Sequence, residues 1–337
     1  MSNLEKDPDE VVLTAAADTA LEVLEPREVP LGGPRAMTVR RTLPQRARSL
    51  IGAWCFVDHY GPDLVAERVP TARTADADAS SVTDGVGPGM VVPPHPHTGL
   101  QTVSWLREGT VHHRDSIGSS AVIAPGELGL MTAGHGISHA EHSPIEHPAL
   151  LHGAQLWVAL PSSAKSVAPA WEHHTSLPTL SNSGAHITVF LGELSDVVSP
   201  GTTYSDLVGA SITMPAGGRD VIATEPDFEY AALVLSGSVV IDDDELEVGT
   251  MLYLGTGRGG LEFSSPRGTE FLLLGGVPFD EQIVMWWNFV GASNDEIVEA
   301  RAQWQAGERF GEVREAGERL TAPPLPPGTL KPGGRTR

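Results

Sequence analysis

Short stretches of strand-forming residues, each closed by a glycine or a proline, recur from residue 37 to about residue 280. MTVRRTL leads into AWCFVDHYGP; LQTVSWL breaks at Gly109, VHHRDSI follows, and AVIAPGELGLMTAG carries a Pro-Gly turn. LHGAQLWVALP closes this run before a Pro-rich segment over 161–178. A second run comprises HITVFLGEL, SITMPAG, YAALVLSGSVVIDDDELEVG and FLLLGGVPF. Apolar or alternating segments this short, bounded by turn formers, read as strands and not as helices. The runs also echo each other. VSWLREGTV with PGELGLMTAG matches ALVLSGSVV with EVGTMLYLG: strand, glycine turn, strand, glycine turn, strand. An all-β chain of two similar antiparallel barrels or sandwiches in tandem satisfies both the echo and the length of 337 residues.

The flanks differ in kind. Residues 1–32 are acidic and weakly patterned, and read as an N-terminal arm. The first barrel is expected over 33–180 and the second over 181–290. Residues 64–90, rich in Ala, Asp, Thr, Ser and Gly, read as an inserted surface loop. The acids Asp242 to Glu245 read as a solvated hairpin tip. Ser293 and Glu296 make a capping-box pattern, and Ile297, Ala300 and Trp304 recur at helical spacing. This places a short amphipathic helix at 293–306, within a C-terminal segment over 291–312. The remainder, 313–337, is Pro/Gly-rich and reads as a disordered tail.

Acids outnumber bases 43 to 22, a formal net charge of −21, which argues against electrostatic capture of nucleic acid or anionic lipid. The N-terminus lacks the pattern of a secretory signal, and no apolar stretch is long enough for a transmembrane helix. Cys55 is the only cysteine, so neither a disulfide framework nor a cysteine-based zinc site is available. Cytoplasmic residence is the expectation. Set between Trp54 and Phe56, Cys55 reads as a small buried apolar residue. Histidine is distributed unevenly: nine of the 13 lie between His95 and His152, and the last 151 residues have none.

His95-Pro96-His97 comes first in that cluster. In an extended strand, residues two apart project from one face, so both imidazoles can reach one ion. His139-Ala140-Glu141 repeats the spacing. Two such pairs on neighbouring strands of a small barrel would set three imidazoles and a carboxylate around one interior point. Mixed imidazole–carboxylate ligation with open positions points to non-haem Fe(II), with Mn, Ni, Cu and Zn admitted by the same geometry. His112 and His113 alternate faces, and His113 is the better candidate for a place behind the ligands. Measured from Gly237 and Gly249, the corresponding places in the second run hold Ala223, Glu225, Glu262 and Ser264. No histidine stands there, so one metal site is expected, in the first barrel.

The segments GAWCFVDHYGP, PPHPHTGLQTVSWLREGTVHHRDSIG, PGELGLMTAGHGISHAEHS and LHGAQLWVALP together resemble the pirin family, iron-binding bicupins of the cupin superfamily. The resemblance covers about 33–310 and is most specific in the first half. It implies two tandem cupin-type barrels with a short C-terminal helix. His95, His97, His139 and Glu141 fall on the family's metal-ligand positions. Gln101 stands where the general cupin pattern has a glutamate, and His135 where related sequences often carry arginine in the TAGxG turn. Both are candidates for a supporting place around the metal.

The resemblance also implies two functions. One is quercetin 2,3-dioxygenase-type oxidation of a small planar phenolic substrate, with Glu141 taking the substrate's hydroxyl proton. The other is an iron- or redox-responsive regulator that binds a metabolic enzyme or a transcription-related partner. The 64–90 insertion is expected to cover or narrow the pocket mouth: a deep cavity beside the ligands would favour catalysis, and a shallow cleft sealed by 64–90 the regulator.

Overall fold

A computed structural model describes residues 5, 21–31, 37–45, 48–65, 89–181 and 184–331 of the chain. The N-terminal strands are β1 (Glu22–Leu24), β2 (Arg27–Leu31), β3 (Met37–Leu43) and β4 (Trp54–Leu64). After them come β5 (Val91–His97), β6 (Leu100–Glu108), β7 (Val111–Asp115), β8 (Ser120–Ile123) and β9 (Leu128–Thr132). The first barrel finishes with β10 (Ile137–His142), β11 (Leu150–Ala159) and β12 (Ala170–His174). The second run begins with β13 (Thr179–Ser181), β14 (His186–Leu194), β15 (Val197–Val198), β16 (Leu207–Met214) and β17 (Gly218–Ala223). It continues through β18 (Glu229–Ile241), β19 (Asp244–Glu247), β20 (Met251–Gly255), β21 (Gly260–Ser265) and β22 (Thr269–Gly276). A hairpin of β23 (Val284–Trp286) and β24 (Phe289–Gly291) precedes the helix α1 (Asn294–Ala306).

The two runs fold alike. In the first, a sheet ordered β12-β9-β6-β11-β4-β3-β2 faces a smaller one ordered β5-β10-β7-β8. In the second, the order β1-β20-β18-β22-β16-β14-β13 reproduces the larger sheet. The smaller sheet is reproduced by β17, β21, the end of β18 and β19. These are the two cupin barrels of a bicupin. Gly109 and Gly237 occupy equivalent bends with φ of +88° and +69°. At Gly237 a Cβ would lie 1.8 Å from the Gly268 carbonyl oxygen, so only glycine permits the strand to bend there. The acidic hairpin tip forms at Asp242 and Asp243, both in the left-handed region that a two-residue turn requires.

The large sheets pack face to face. Leu43, Val103, Trp105, Leu130 and Leu156 of the first barrel share one buried apolar cluster with Phe190, Leu191, Leu233, Leu272 and Leu274 of the second. Each such side chain withdrawn from water contributes roughly 1.5–3 kcal/mol, which is why the barrels form one unit. A separate apolar cluster, including Ile222, Leu246, Leu261, Phe263 and Phe271, fills the second barrel.

The flanks depart from the sequence reading. The last third of the arm is not weakly patterned chain: β1 pairs with β20 of the second barrel and β2 with β3 of the first. The expected tail also differs, because the chain through Lys331 is laid down on α1 and β10. Ala322 and Leu330 are buried with Trp304, Val313 and Ala316 are buried against Ala140 of β10, and the Trp304 Nε1–H donates to the Leu320 carbonyl at 2.8 Å. Proline and glycine prevent regular structure in this segment, but they do not prevent packing. The helix begins at the Ser293 cap, whose side chain accepts from the Glu296 amide, and ends at Gly307 with φ of 76°. Most of the inserted loop, 66–88, lies outside the described residues. No helix among the described residues is long and apolar enough to cross a membrane.

Candidate metal centre

Strands β5 and β10 lie antiparallel with His139 opposite His95 and Ile137 opposite His97. The i, i+2 spacing of each strand therefore sends His95, His97 and His139 to the same side, inside the first barrel. One ring nitrogen from each of the three lies within 4.8 Å of the others, and all three residues are buried. Between His139 and Glu141 the register slips: Glu141 faces Val92, so β5 carries an extra residue at Pro93-Pro94. Proline suits such a bulge because it has no ladder hydrogen to lose.

The second nitrogen of each ring is committed. His95 Nδ1 lies 2.8 Å from the Pro93 carbonyl oxygen, and His97 Nδ1 lies 3.2 Å from that of Asn288. A carbonyl only accepts, so both Nδ1 atoms carry the hydrogen and both Nε2 atoms present lone pairs. His97 Nε2 and His139 Nε2 are 3.1 Å apart. His97 Nε2 offers a lone pair on this side, and a His139 with its hydrogen on Nδ1 offers a second, so a cation between the two rings would be held by both. Burial holds His95 down at about 4, and it holds His97 and His139 well below the ordinary histidine value, with neighbouring imidazoles adding to the effect. Neutral imidazole is the form that binds metal. The donor set fits a divalent first-row ion.

Glu141 lies on the same strand as His139 and is buried, with Oε1 3.5 Å from Ser104 Oγ. It stands outside the tight group of three nitrogens. Ser104 Oγ is also 3.1 Å from Gln155 Oε1, and the Gln155 amide donates to the Val103 carbonyl at 3.2 Å. On the side of His97, the Trp157 ring meets the imidazole edge-on at 5.2 Å and stacks on Phe56 at 3.9 Å. This apolar wall keeps water off His97. His113 is buried beside His139, whereas His112 is only partly buried and pairs with Ser120 Oγ at 2.8 Å.

Two residues expected near the metal are elsewhere. Gln101 is buried, but its amide donates to Thr132 Oγ1 at 2.9 Å and to the Thr202 carbonyl at 3.0 Å, in the contact between barrels. Strand alternation is the cause: Ser104 faces the barrel interior, so Gln101, three residues away, faces outward. His135 is exposed, with Nδ1 3.1 Å from the Val167 carbonyl oxygen. The turn that carries it points its side chain to the surface. Sequence reasoning did not find Asn288, Ser104 or Gln155. Asn288 is 191 residues from His97, and no local pattern announces a backbone carbonyl as a partner.

In the second barrel β17 and β21 replace β5 and β10, with Asp220 opposite Phe263 and Ile222 opposite Leu261. These four point inward and are buried. Ala223, Glu262 and Ser264, the places chosen by counting from the glycines, fall on the other face, and Glu225 lies beyond the strand. The connections between glycine and strand differ in length, and a slip of one residue reverses the face. Ile222, Leu261 and Phe263 fill most of the volume that the histidines occupy in the first barrel, and Asp220, at the place of His95, has its carboxylate taken by the Gly184 and Ala185 amides.

A second buried histidine pair lies outside the centre. His59 and His152 stack with Nε2 atoms 3.0 Å apart, and the Arg40 guanidinium is 3.4 Å from His59 Nε2. Burial foremost, with nearby arginines, holds His59 at about 2 and His152 at about 4. Unfolding returns both to about 6.5, so below that pH the unfolded chain binds more protons. Their contribution is complete above pH 6.5; that of His152 is lost as pH falls toward 4, and that of His59 as pH falls on toward about 2. The thermal midpoint is expected to fall across this window, and His152→Gln to flatten the fall, in scans at a series of pH values.

A bicupin with three convergent imidazoles in its first barrel and a largely apolar second barrel is the class that fold and site define. Residues 36–158 match the family model described as Pirin, and residues 209–311 match the Pirin C-terminal cupin domain. The chain belongs to the pirin family. A Pseudomonas aeruginosa protein provisionally named quercetin 2,3-dioxygenase is 42% identical over 309 residues, 91% of each chain. A pirin-like protein of Caulobacter vibrioides is 35% identical over 274 residues, 80% of this chain and 88% of that one. The crystal structure of quercetin 2,3-dioxygenase from Acinetobacter baumannii superposes with a TM-score of 0.82 at 37% identity, covering 94% of this chain and 99% of that one.

Proposed function

We propose that the chain is an Fe(II)-dependent dioxygenase acting on a planar phenolic compound of the flavonol type. His95, His97, His139 and Glu141 hold the metal in this reading; Mn, Ni, Cu and Zn meet the same donors. The observation that carries it is the convergence of imidazole Nε2 atoms whose opposite nitrogens are already engaged. The names of the Pseudomonas and Acinetobacter relatives supply the substrate class. A bound metal supplies Lewis acidity toward a substrate hydroxyl and redox chemistry with dioxygen.

The residues do the rest. Neutral His95, His97 and His139 offer their lone pairs at physiological pH without first losing a proton. Glu141 accepts the proton of the substrate hydroxyl, with Ser104 Oγ beside its carboxylate at 3.5 Å. Trp157 and Phe56 close one side of the centre to water, which strengthens every charge interaction inside it. The second barrel supports the first through the shared apolar contact.

Oxygen uptake by the Fe(II)-loaded protein with a flavonol tests this. One dioxygen consumed per substrate lost is expected, with Glu141→Gln slower by about 10²–10⁴-fold, the usual contribution of a positioned base. Fully loaded protein that consumes no oxygen with any flavonol or catechol would overturn the enzyme reading. The centre would then serve the iron- or redox-responsive regulator, whose partner would be a protein.

A further inference from the structure

His139 differs from the other two imidazoles of the centre. The Nδ1 atoms of His95 and His97 face backbone carbonyls, which fold with the chain and cannot be the wrong way round. His139 Nδ1 faces another ring, 3.3 Å from His113 Nδ1. Between two imidazole nitrogens, either one can be the donor. If His113 donates, His139 Nδ1 is the lone pair and its Nε2 carries a hydrogen, which blocks the ligand position. If His139 donates, its Nε2 is free for a metal.

His97 Nε2, a lone pair 3.1 Å from His139 Nε2, can accept from the blocked form, so His113 has to be the stronger acceptor, and its far side shows how it becomes so. His113 Nε2 lies 3.2 Å from Asp115 Oδ2. Asp115 is itself fixed, with Oδ1 accepting from the Ile117 amide at 3.1 Å and the Ser119 amide at 2.8 Å. Two backbone amides on Oδ1 favour the ionised form of Asp115 over the acid. An ionised carboxylate only accepts, so His113 Nε2 carries the hydrogen and a neutral His113 has its lone pair on Nδ1. The plane of the ring is set as well: His113 stacks on Trp171 at 3.7 Å with an interplanar angle of 5°.

We propose that His113 is a positioning residue for the metal centre: with Asp115 behind it, it receives the Nδ1 hydrogen of His139 and so fixes His139 in the tautomer whose Nε2 binds metal. The consequence for metal rests on the reading above, whereas the tautomer does not. Outer partners of this kind change metal affinity by about 10–100-fold while touching no metal themselves.

Two variants separate the acceptor from the packing. His113→Phe keeps a flat ring on Trp171 and removes the acceptor. His113→Asn keeps an acceptor close to the Nδ1 position and removes the stacked ring. The first measurement is the tautomer of His139 in metal-free protein, read by long-range ¹H–¹⁵N correlation. The wild type and His113→Asn are expected to show hydrogen on Nδ1, and His113→Phe to gain the form with hydrogen on Nε2. The second is Co(II) affinity by chelator competition, followed by the visible spectrum. His113→Phe is expected to bind about 10–100-fold more weakly, and His113→Asn to stay within about threefold of wild type.

An unchanged tautomer in His113→Phe overturns the proposal. So does an equal loss of Co(II) affinity in both variants, because that result reports only disturbed packing. Failure of the wild type itself to bind Co(II) would contradict the metal reading, and the tautomer measurement would still decide the role of His113.

Discussion

Replacing His97 with alanine is expected to remove the metal from the protein. Its Nε2 stands 3.1 Å from that of His139, and its Nδ1 is already engaged by Asn288, so no other atom in reach takes its place. Losing a direct ligand weakens binding by more than the roughly 10–100-fold that loss of a supporting residue causes. The matching control is His173→Ala. His173 lies on β12 with its Nε2 2.8 Å from Glu127 Oε2, outside the group of three convergent nitrogens. Metal analysis of both variants, purified without added metal, should show His173→Ala loaded like wild type and His97→Ala empty. Retention of a full equivalent by His97→Ala would remove the proposed ligand set.

The largest effect on stability is expected at Trp54. This residue is fully buried at the start of β4, and its indole Nε1–H reaches across to the second barrel. It is shared between the Val208 carbonyl at 3.1 Å and the Gly275 carbonyl at 3.2 Å. Its ring meets Phe190 edge-on at 6.3 Å. Trp54→Ala removes apolar contact on both sides of the shared core and leaves a cavity, a loss of about 3–5 kcal/mol. Trp54→Phe keeps most of the ring and loses the hydrogen bond, for about 1–3 kcal/mol. Urea unfolding followed by circular dichroism checks both. While still folded, each variant should hold metal as wild type does, because Trp54 belongs to the contact between barrels and not to the centre. A Trp54→Ala protein of unchanged stability would contradict the view that the second barrel supports the first.

The fold was legible because its constraints are local and repeated. Glycines at the strand bends and the alternation within LQTVSWL and YAALVLSG depend only on nearest neighbours, and both barrels show them. The histidine cluster was legible for the same reason: His95 with His97 shares one strand face, as does His139 with Glu141 in an unbroken strand. What that reasoning could not carry was parity across a turn. Gln101 follows His97 by four positions, but the chain reverses at Thr98 and Gly99, and on β6 it is Ser104 that faces the interior. The glycine count failed in the second barrel for the same reason, exchanging Ile222 and Leu261 for their outward neighbours.

Long-range partners were not legible at all. Asn288 meets His97 because Thr98 and Phe289 bridge in parallel and the Val290 amide donates to the Thr98 carbonyl at 3.0 Å. The chain returns there only after completing the second barrel. Leu320 likewise donates its amide to the Pro94 carbonyl at 2.8 Å, and Phe310 accepts from the Ser138 amide at 3.1 Å. Residues next to His95, His97 and His139 are thus tied to a segment that follows the second barrel in sequence. A composition rich in proline and glycine gave no sign of this, because packing against Trp304 and Ala140 decides where that segment lies.

The most direct test of a single metal centre in the first barrel is X-ray absorption at the metal edge of the Fe(II)-loaded 337-residue chain. One metal per chain is expected, with three imidazole nitrogens and the Glu141 carboxylate oxygen in the nearest shell, and one imidazole fewer in any residual metal of His139→Ala. A nearest shell with fewer than two imidazoles, or one that His139→Ala leaves unchanged, would contradict it.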